Sequence, residues 1–164
     1  MSKRWVIDAS PLILLQKINR LNLLSELSEE LVIPKAVSNE LLSYEEDRAV
    51  WSTFFRSSTK IRDLKDHVQI CPDITGWGLG KGESEVISYA IANAGYEAVL
   101  DDLEARKCAV TFNIPLRGTV GIILLAKKIN IIPTASPLID SLKSAGLRFN
   151  EDWISSALKI VGED

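Results

Sequence analysis

Arg4-Trp5-Val6-Ile7-Asp8-Ala9-Ser10-Pro11-Leu12-Ile13 is the stretch on which the reading of the whole chain turns. Its first half is apolar and β-favouring and reads as a strand over Arg4 to Asp8. Ser10 is a good helix N-cap and Pro11 is pre-organised for a first helical position. Leu14, Leu15 and Ile18 then follow at helical spacing. A strand that passes directly into a helix, with an acid at the junction, is the opening of an α/β unit. The alternation continues downstream. Helices are expected around Leu21 to Leu27 and from Pro34 to about Tyr44, flanking a strand at Leu31 to Ile33. Val50, Trp51, Phe54 and Phe55 have helical spacing, and a strand is expected at His67 to Cys71. Pro72 to Gly82, with Gly76, Gly78, Gly80 and Gly82, reads as a flexible loop. A helix over Glu83 to Asn93 stops at Gly95. Next come a strand at Tyr96 to Leu100, a helix from Asp101 to near Asn113, a strand at Ile114 to Arg117 and an apolar helix at Thr119 to Asn130. Two terminal helices, Ser136 to Ala145 and Glu151 to Val161, flank a candidate strand at Leu147 to Phe149. Short strands alternating with helices define an α/β fold with a mainly parallel sheet, whose functional crevice lies outside the carboxyl ends of the strands.

The chain has 164 residues, which suits one domain over 1–164, with residues from about 133 to 164 as a C-terminal helical extension. Lys and Arg number 19 against 22 Asp and Glu, so a globally basic nucleic-acid binder is excluded and only a local basic patch is left open. The longest apolar runs, such as Val120 to Ala126, fall far short of the ~20 residues of a membrane span. The start of the sequence, Met-Ser-Lys-Arg running directly into the first strand, carries the expectation of no signal peptide. Cys71 and Cys108 lack metal-ligand spacing and read as reduced thiols, so the expectation is a cytoplasmic protein with no membrane partner.

Acids collect where an α/β fold puts its chemistry. Asp8 ends the first strand, and Asp101 and Asp102 follow the Tyr96–Leu100 strand. Capping is the ordinary use of such residues, but Ser10 and Pro11 already supply the cap after Asp8. Asp101-x-x-Glu104 has capping-box spacing, which would leave Asp102 free. Glu83 is followed at helical distances by Val86, Ile87, Ala90 and Ile91, so it falls on an apolar face. Glu85 is followed by Ser88, Tyr89, Ala92 and Asn93, a largely polar face. Glu40, flanked by Ala36, Val37 and Tyr44, is also read as projecting towards packed surface. Inward carboxylates without basic partners are costly, and a divalent cation such as Mg²⁺ or Mn²⁺ reconciles them.

These segments together resemble a family. Val6-Ile7-Asp8-Ala9-Ser10-Pro11-Leu12-Ile13 is similar to the opening motif of PIN-domain ribonucleases, including the VapC-type toxins. Asn39-Glu40-Leu41 resembles the second motif. Leu79-Gly80-Lys81-Gly82-Glu83-Ser84-Glu85-Val86-Ile87 resembles a prokaryotic subfamily whose third motif opens Gly-x-Gly-Glu. Val99-Leu100-Asp101-Asp102 and Arg117-Gly118-Thr119-Val120-Gly121 resemble the fourth motif and the segment after it. More familiar members carry Asp where Glu83 stands. The resemblance runs from about residue 4 to about 132. It implies a three-layer α/β/α sandwich and a metal-dependent ribonuclease. The implied ligands of Mg²⁺ or Mn²⁺ are Asp8, Glu40, Glu83 and Asp102, with Asp101 as alternate. Ser10 and Thr119 would orient water or a carboxylate, and Arg106, Lys107 and Arg117 would meet RNA phosphates. A toxin-like role with a small antitoxin partner, and a homodimer, are further implications of the family.

Two other readings use the same residues. One is a non-catalytic PIN-like binding module, for which Glu83 in place of Asp is the hint. The other is a phosphotransfer receiver-like domain, which shares acidic strand ends but would need a Lys after a late strand. His67, the one histidine, has no partner motif near it and reads as structural or exposed. The glycines of 76–82 lack a phosphate-loop ending and read as a loop that lets the chain approach the acids. Trp5, Trp51, Trp77 and Trp153 read mostly as core, with Trp77 open to a base or a partner.

Overall fold

The computed structural model describes residues 3–163. Five parallel strands form one sheet in the order β3-β2-β1-β4-β5. They are β1 (Arg4–Ile7), β2 (Glu30–Ile33), β3 (Ile61–Asp63), β4 (Glu97–Val99) and β5 (Leu116–Arg117). Trp5, Val6 and Ile7 of β1 and Leu31, Val32 and Ile33 of β2 are fully buried, as expected of parallel strands covered on both faces. Helices flank the sheet, giving the three-layer α/β/α sandwich. Between β1 and β2 lie α1 (Ala9–Lys17) and α2 (Asn22–Leu27), and between β2 and β3 lie α3 (Lys35–Leu42) and α4 (Arg48–Phe55). The others are α5 (Lys81–Ala92), α6 (Leu103–Thr111), α7 (Thr119–Lys128), α8 (Ser136–Ser144) and α9 (Glu151–Ile160). α5 lies on β1 and β4 and also packs on α3, while α7 packs on α2 and α8.

The chain builds outward from β1 to β3 and then returns to place β4 on the other side of β1. The gap between β1 and β4 is therefore the point where strand order reverses, the position at which α/β sheets bind ligands. The β1–β4 ladder, with Ile7 level with Val99, continues to a bond from the Asp8 amide to the Val99 carbonyl at 3.1 Å. Asp8 and the Asp101-Asp102 pair consequently leave the sheet side by side.

Two expected strands are absent. The strand at the sheet edge is Ile61–Asp63, with Leu31 beside Ile61. Only Ile61 of its three residues is buried, so it carries almost no hydrophobic pattern. Residues 67–71 run extended across α5 instead. The Val68 amide donates to Glu85 Oε1 at 3.4 Å and the Cys71 amide to Ser88 Oγ at 2.9 Å. Their backbone is thus satisfied by helix side chains rather than by a ladder. Leu147–Phe149 is a loop, and β5 is shorter than expected.

The last helices belong to the same packed interior: Ile139 and Leu142 of α8 and Ile154 of α9 are buried in it. Glu163 closes the arrangement. Its carboxylate accepts from the Ala135 amide at 2.6 Å and the Ser136 amide at 3.0 Å, so it caps α8 from the far end of the chain. Glu163→Ala should lower unfolding free energy by ~1–2 kcal/mol, the usual loss on removing a helix cap. Urea denaturation measures this, and an unchanged midpoint would mean that the clasp contributes nothing.

Candidate metal centre

A cleft of about 1190 Å³ opens over the carboxyl ends of β1 and β4. Asp8, Glu40, Glu83, Asp101 and Asp102 all line it, with Ser10 beside them. Among the described residues none of the five acids takes part in an ion pair.

Asp8 occupies the N-cap position of α1, yet its side chain makes no capping bond. It is 8% exposed. Burial raises its carboxyl from the ordinary 3.8 to about 6. The Ala9 amide opposes the rise, and the charges of Glu40, Asp101 and Asp102 add to it. Glu83, in the first turn of α5, rises from 4.5 to about 7, again chiefly through burial, with Asp8 and Asp102 contributing. The Gly80 amide opposes that rise. Glu83 Oε2 is buried with no partner. Glu40 is exposed at the mouth of the cleft, not directed into packing; in α3 the buried residues are Ala36, Val37, Ser38 and Leu41.

The aspartate doublet works in the opposite sense to the capping-box expectation. Asp102 is the N-cap of α6, with Oδ2 accepting from the Ala105 amide at 3.0 Å. Asp101 reaches across to α7, where it accepts from the Thr119 amide at 2.9 Å and from Thr119 Oγ1 at 2.5 Å. Both Asp101 oxygens are thereby engaged, capping a helix whose own N-cap, Gly118, has no side chain. Thr119, fully buried, serves Asp101 rather than water. Asp102 lines the same cleft as Glu83 and adds to the rise of its pKa, and so stays in the candidate ligand set.

Glu83 and Glu85 also exchange roles. Glu85 is the buried one, at 1% exposure. It accepts from the Ala36 amide at 3.1 Å, from the Val68 amide and from His67 Nδ1 at 2.7 Å. The supposedly polar face of α5 is covered by the start of α3 and by residues 67–71. Helical phase cannot reveal this second covering layer. His67, read from the sequence as structural or exposed, is both: its ring is largely open, and it is the partner that closes this cluster.

Three glycines make room for three carboxylates. A Cβ at Gly82 would stand 3.1 Å from Asp8 Oδ1 and 3.3 Å from Val37 Cγ2. One at Gly80 would stand 3.0 Å from Glu83 Oε1, and one at Gly118 would stand 3.1 Å from Asp101 Oδ1. The loop reading of residues 72–82 is refined accordingly: Pro72–Trp77 is a 3₁₀ turn, Gly78 has φ +68°, and Gly80 and Gly82 begin α5 against the acids.

The cations differ from expectation. Lys107 pairs with Glu104 on the outer face of α6 at 3.3 Å and does not line the cleft. Arg117 lines the cleft as expected, but there it pairs with Glu97 at 3.3 Å and lies over the Trp5 ring. Arg106 lines the cleft but donates to the Leu100 carbonyl at 2.8 Å. Lys17, Lys81 and Arg148 also line it, with no ion-pair partner among the described residues. Nothing in local sequence marked these three, because they come from three separate elements.

A parallel α/β sandwich with a carboxylate crevice at its switch point is the class that fold and site define. A family model described as a PIN domain matches residues 4–163. The chain therefore belongs to the PIN-domain family, a nuclease fold whose members generally bind divalent metals. No curated protein and no solved structure matches the chain.

The donor set fits a hard cation: every donor is a carboxylate oxygen, and the unpartnered Glu83 Oε2 is an acceptor that only a proton or a cation can satisfy. Among the described residues, no three His, Cys, Asp or Glu side chains stand close enough to enclose an ion as placed.

The two glutamates of α5 should respond oppositely. In EDTA at pH 8, Glu83→Gln removes a repelling charge and is expected to stabilise the protein. Glu85→Ala strands the Ala36 and Val68 amides and should cost ~2–4 kcal/mol. Chemical denaturation of both variants decides; equal losses would mean that Glu83 is a structural residue.

The raised acids also set a pH dependence. Native Asp8 holds a proton between about 3.8 and about 6, where the unfolded chain has already released it. Glu83 does the same between about 4.5 and about 7. Metal-free stability should therefore fall as pH rises from 4 through 7. Asp8→Asn should flatten the lower part of that fall and raise stability at neutral pH by ~1–3 kcal/mol. Melting curves in EDTA at several pH values test this. A variant that melts lower than wild type throughout would identify Asp8 as a helix cap.

Proposed function

We propose that this protein is a Mg²⁺- or Mn²⁺-dependent endoribonuclease of toxin–antitoxin type. The observation that carries the metal site is the pairing of Asp8 and Glu83. They are two carboxyl groups held near neutral pKa in one crevice, with no basic partner among the described residues. Asp8, Glu40, Glu83 and Asp102 would hold the cation. When bound, it supplies charge neutralisation at the phosphate and a water of lowered pKa. The remaining work belongs to the chain. Asp8 and Glu83 must give up their protons for the site to load. Ser10, exposed at the cleft beside Asp8, is placed to hydrogen-bond a water or a phosphate oxygen. Asp101, through Thr119, fixes the start of α7 against the end of β4, so that Gly118 keeps the floor of the cleft open. Lys17, Lys81 and Arg148, unpaired among the described residues, are the cations offered to phosphates, in place of Lys107, which lies outside the cleft, and of Arg117, which Glu97 engages. An RNA substrate, a small antitoxin protein, a homodimer and a cytoplasmic setting follow from the family resemblance. No described helix is long and apolar enough to cross a membrane.

Glu83 in the place of Asp also suits a PIN-like module that binds without cleaving. Cleavage of a generic RNA distinguishes the two. Wild type should cut in Mg²⁺ or Mn²⁺ and stop in EDTA, and readdition of the ion should restore activity. Asp8→Asn should reduce the rate by ~10³-fold or more while remaining folded, since it removes a metal ligand on which the reaction depends. Cutting that survives both chelation and the substitution would refute the metal-nuclease reading.

A further inference from the structure

The far wall of the cleft comes from the C-terminal part of the chain. Ala145, Gly146, Leu147, Arg148 and Phe149 line it, together with Trp153 from the first turn of α9. This segment takes no part in the acidic centre. Its side chains form a different pattern: a partly buried aromatic, an exposed guanidinium and a second aromatic that is 53% exposed.

The segment is held in shape from several directions. Gly146 takes φ +110°, and the Leu147 amide returns to the Leu142 carbonyl at 3.0 Å. Asn150 caps α9 by accepting from the Trp153 amide at 3.0 Å. Lys143 pairs with Glu151 across the turn, Ile154 anchors α9 in the core, and Glu163 clasps the start of α8. Trp153 is thus a large indole left open on a fixed scaffold, so little ordering is needed before it meets a ligand.

Charge selects the ligand. Lys17, Lys81 and Arg148, which have no ion-pair partner among the described residues, bring three cations to the cleft from α1, α5 and the C-terminal segment. A chain of phosphates complements cations distributed in this way around the cleft. Flat aromatic faces interleaved with such cations suit bases that are free to unstack, which a duplex does not offer. We propose that residues 145–149 and Trp153 form a nucleobase-binding lip that receives a single-stranded RNA segment, with Trp153 and Phe149 stacking bases and Arg148 holding the intervening phosphate. The identity of the polymer as RNA rests on the nuclease reading; the lip itself rests on the geometry of the C-terminal segment.

The test is binding rather than cleavage. Fluorescein-labelled ten-nucleotide RNA is titrated with full-length Asp8→Asn protein in Mg²⁺, so that the probe is not consumed, and anisotropy is read. Trp153→Ala and Arg148→Glu, each added to that background, should weaken binding by about tenfold, the scale of one lost stacked base or phosphate contact. The Arg148 change should also reduce the salt slope by about 0.7 for one lost phosphate. Lys128→Glu, outside the cleft, should have no effect. Duplex RNA of the same sequence should bind more weakly than the single strand. Affinity unchanged by both lip substitutions, or a duplex bound as tightly as the single strand, overturns the lip and leaves this wall to a protein partner. Single-stranded DNA bound equally well, with both substitutions still effective, supports the lip while removing the RNA assignment. Cleavage by the wild type, measured separately, decides the nuclease reading whichever way the lip experiment falls.

Discussion

Like charge brought together at the reversal point of the sheet is the constraint around which this structure is arranged. β1 and β4 end side by side, and their continuations put Asp8, Asp101 and Asp102 at one edge. α5 then adds Glu83 from above and α3 adds Glu40 at the mouth. Folding by itself does not favour such a gathering. Asp8 and Glu83 lose water and gain repulsion there, so both hold their protons to higher pH than an exposed carboxyl would.

The fold handles its acids in two ways. Some are fully partnered and hold elements together: Asp101 ties β4 to α7 through Thr119, and Glu85 ties α5 to α3 and to residues 67–71. Others are left wanting a proton or a cation. Asp8 sits at a helix start without capping it, and Glu83 has an oxygen with no donor. The glycines follow this division only in part, since Gly80 and Gly82 shelter the unsatisfied acids and Gly118 shelters a satisfied one. The common reason is steric: a carboxylate lies where a Cβ would be. An acidic site so arranged is stiff on its partnered side and responsive on its unpartnered side.

Much of this was legible in the sequence. Central strands announce themselves because both faces are buried, so Val6-Ile7-Asp8 and Val99-Leu100-Asp101 read clearly, and the family resemblance followed from the acids at their ends. The edge strand at Ile61 did not, because one buried residue makes no pattern. The aspartate doublet was misassigned since capping-box spacing is local, whereas the partner of Asp101, Thr119, lies eighteen residues away on another helix. Glu83 and Glu85 were interchanged for a related reason. Periodicity gives a direction around the axis of α5; it does not say that the first turn overhangs the end of the sheet or that a second layer covers the polar side. The cations of the cleft were out of reach for the same reason, as they meet only in three dimensions.

The most direct test of the central claim, that Asp8 and Glu83 hold protons in the place a cation would take, is the proton balance of metal binding. Mn²⁺ is titrated calorimetrically into the metal-free protein at pH 6.5 in buffers of different ionisation enthalpy. The account predicts binding accompanied by release of roughly one proton, since groups with pKa values of about 6 and about 7 are partly protonated at that pH. Glu83→Gln should lose most of both the binding and the release. Binding with no buffer dependence, or a Glu83→Gln protein that binds and releases as the wild type does, would contradict it.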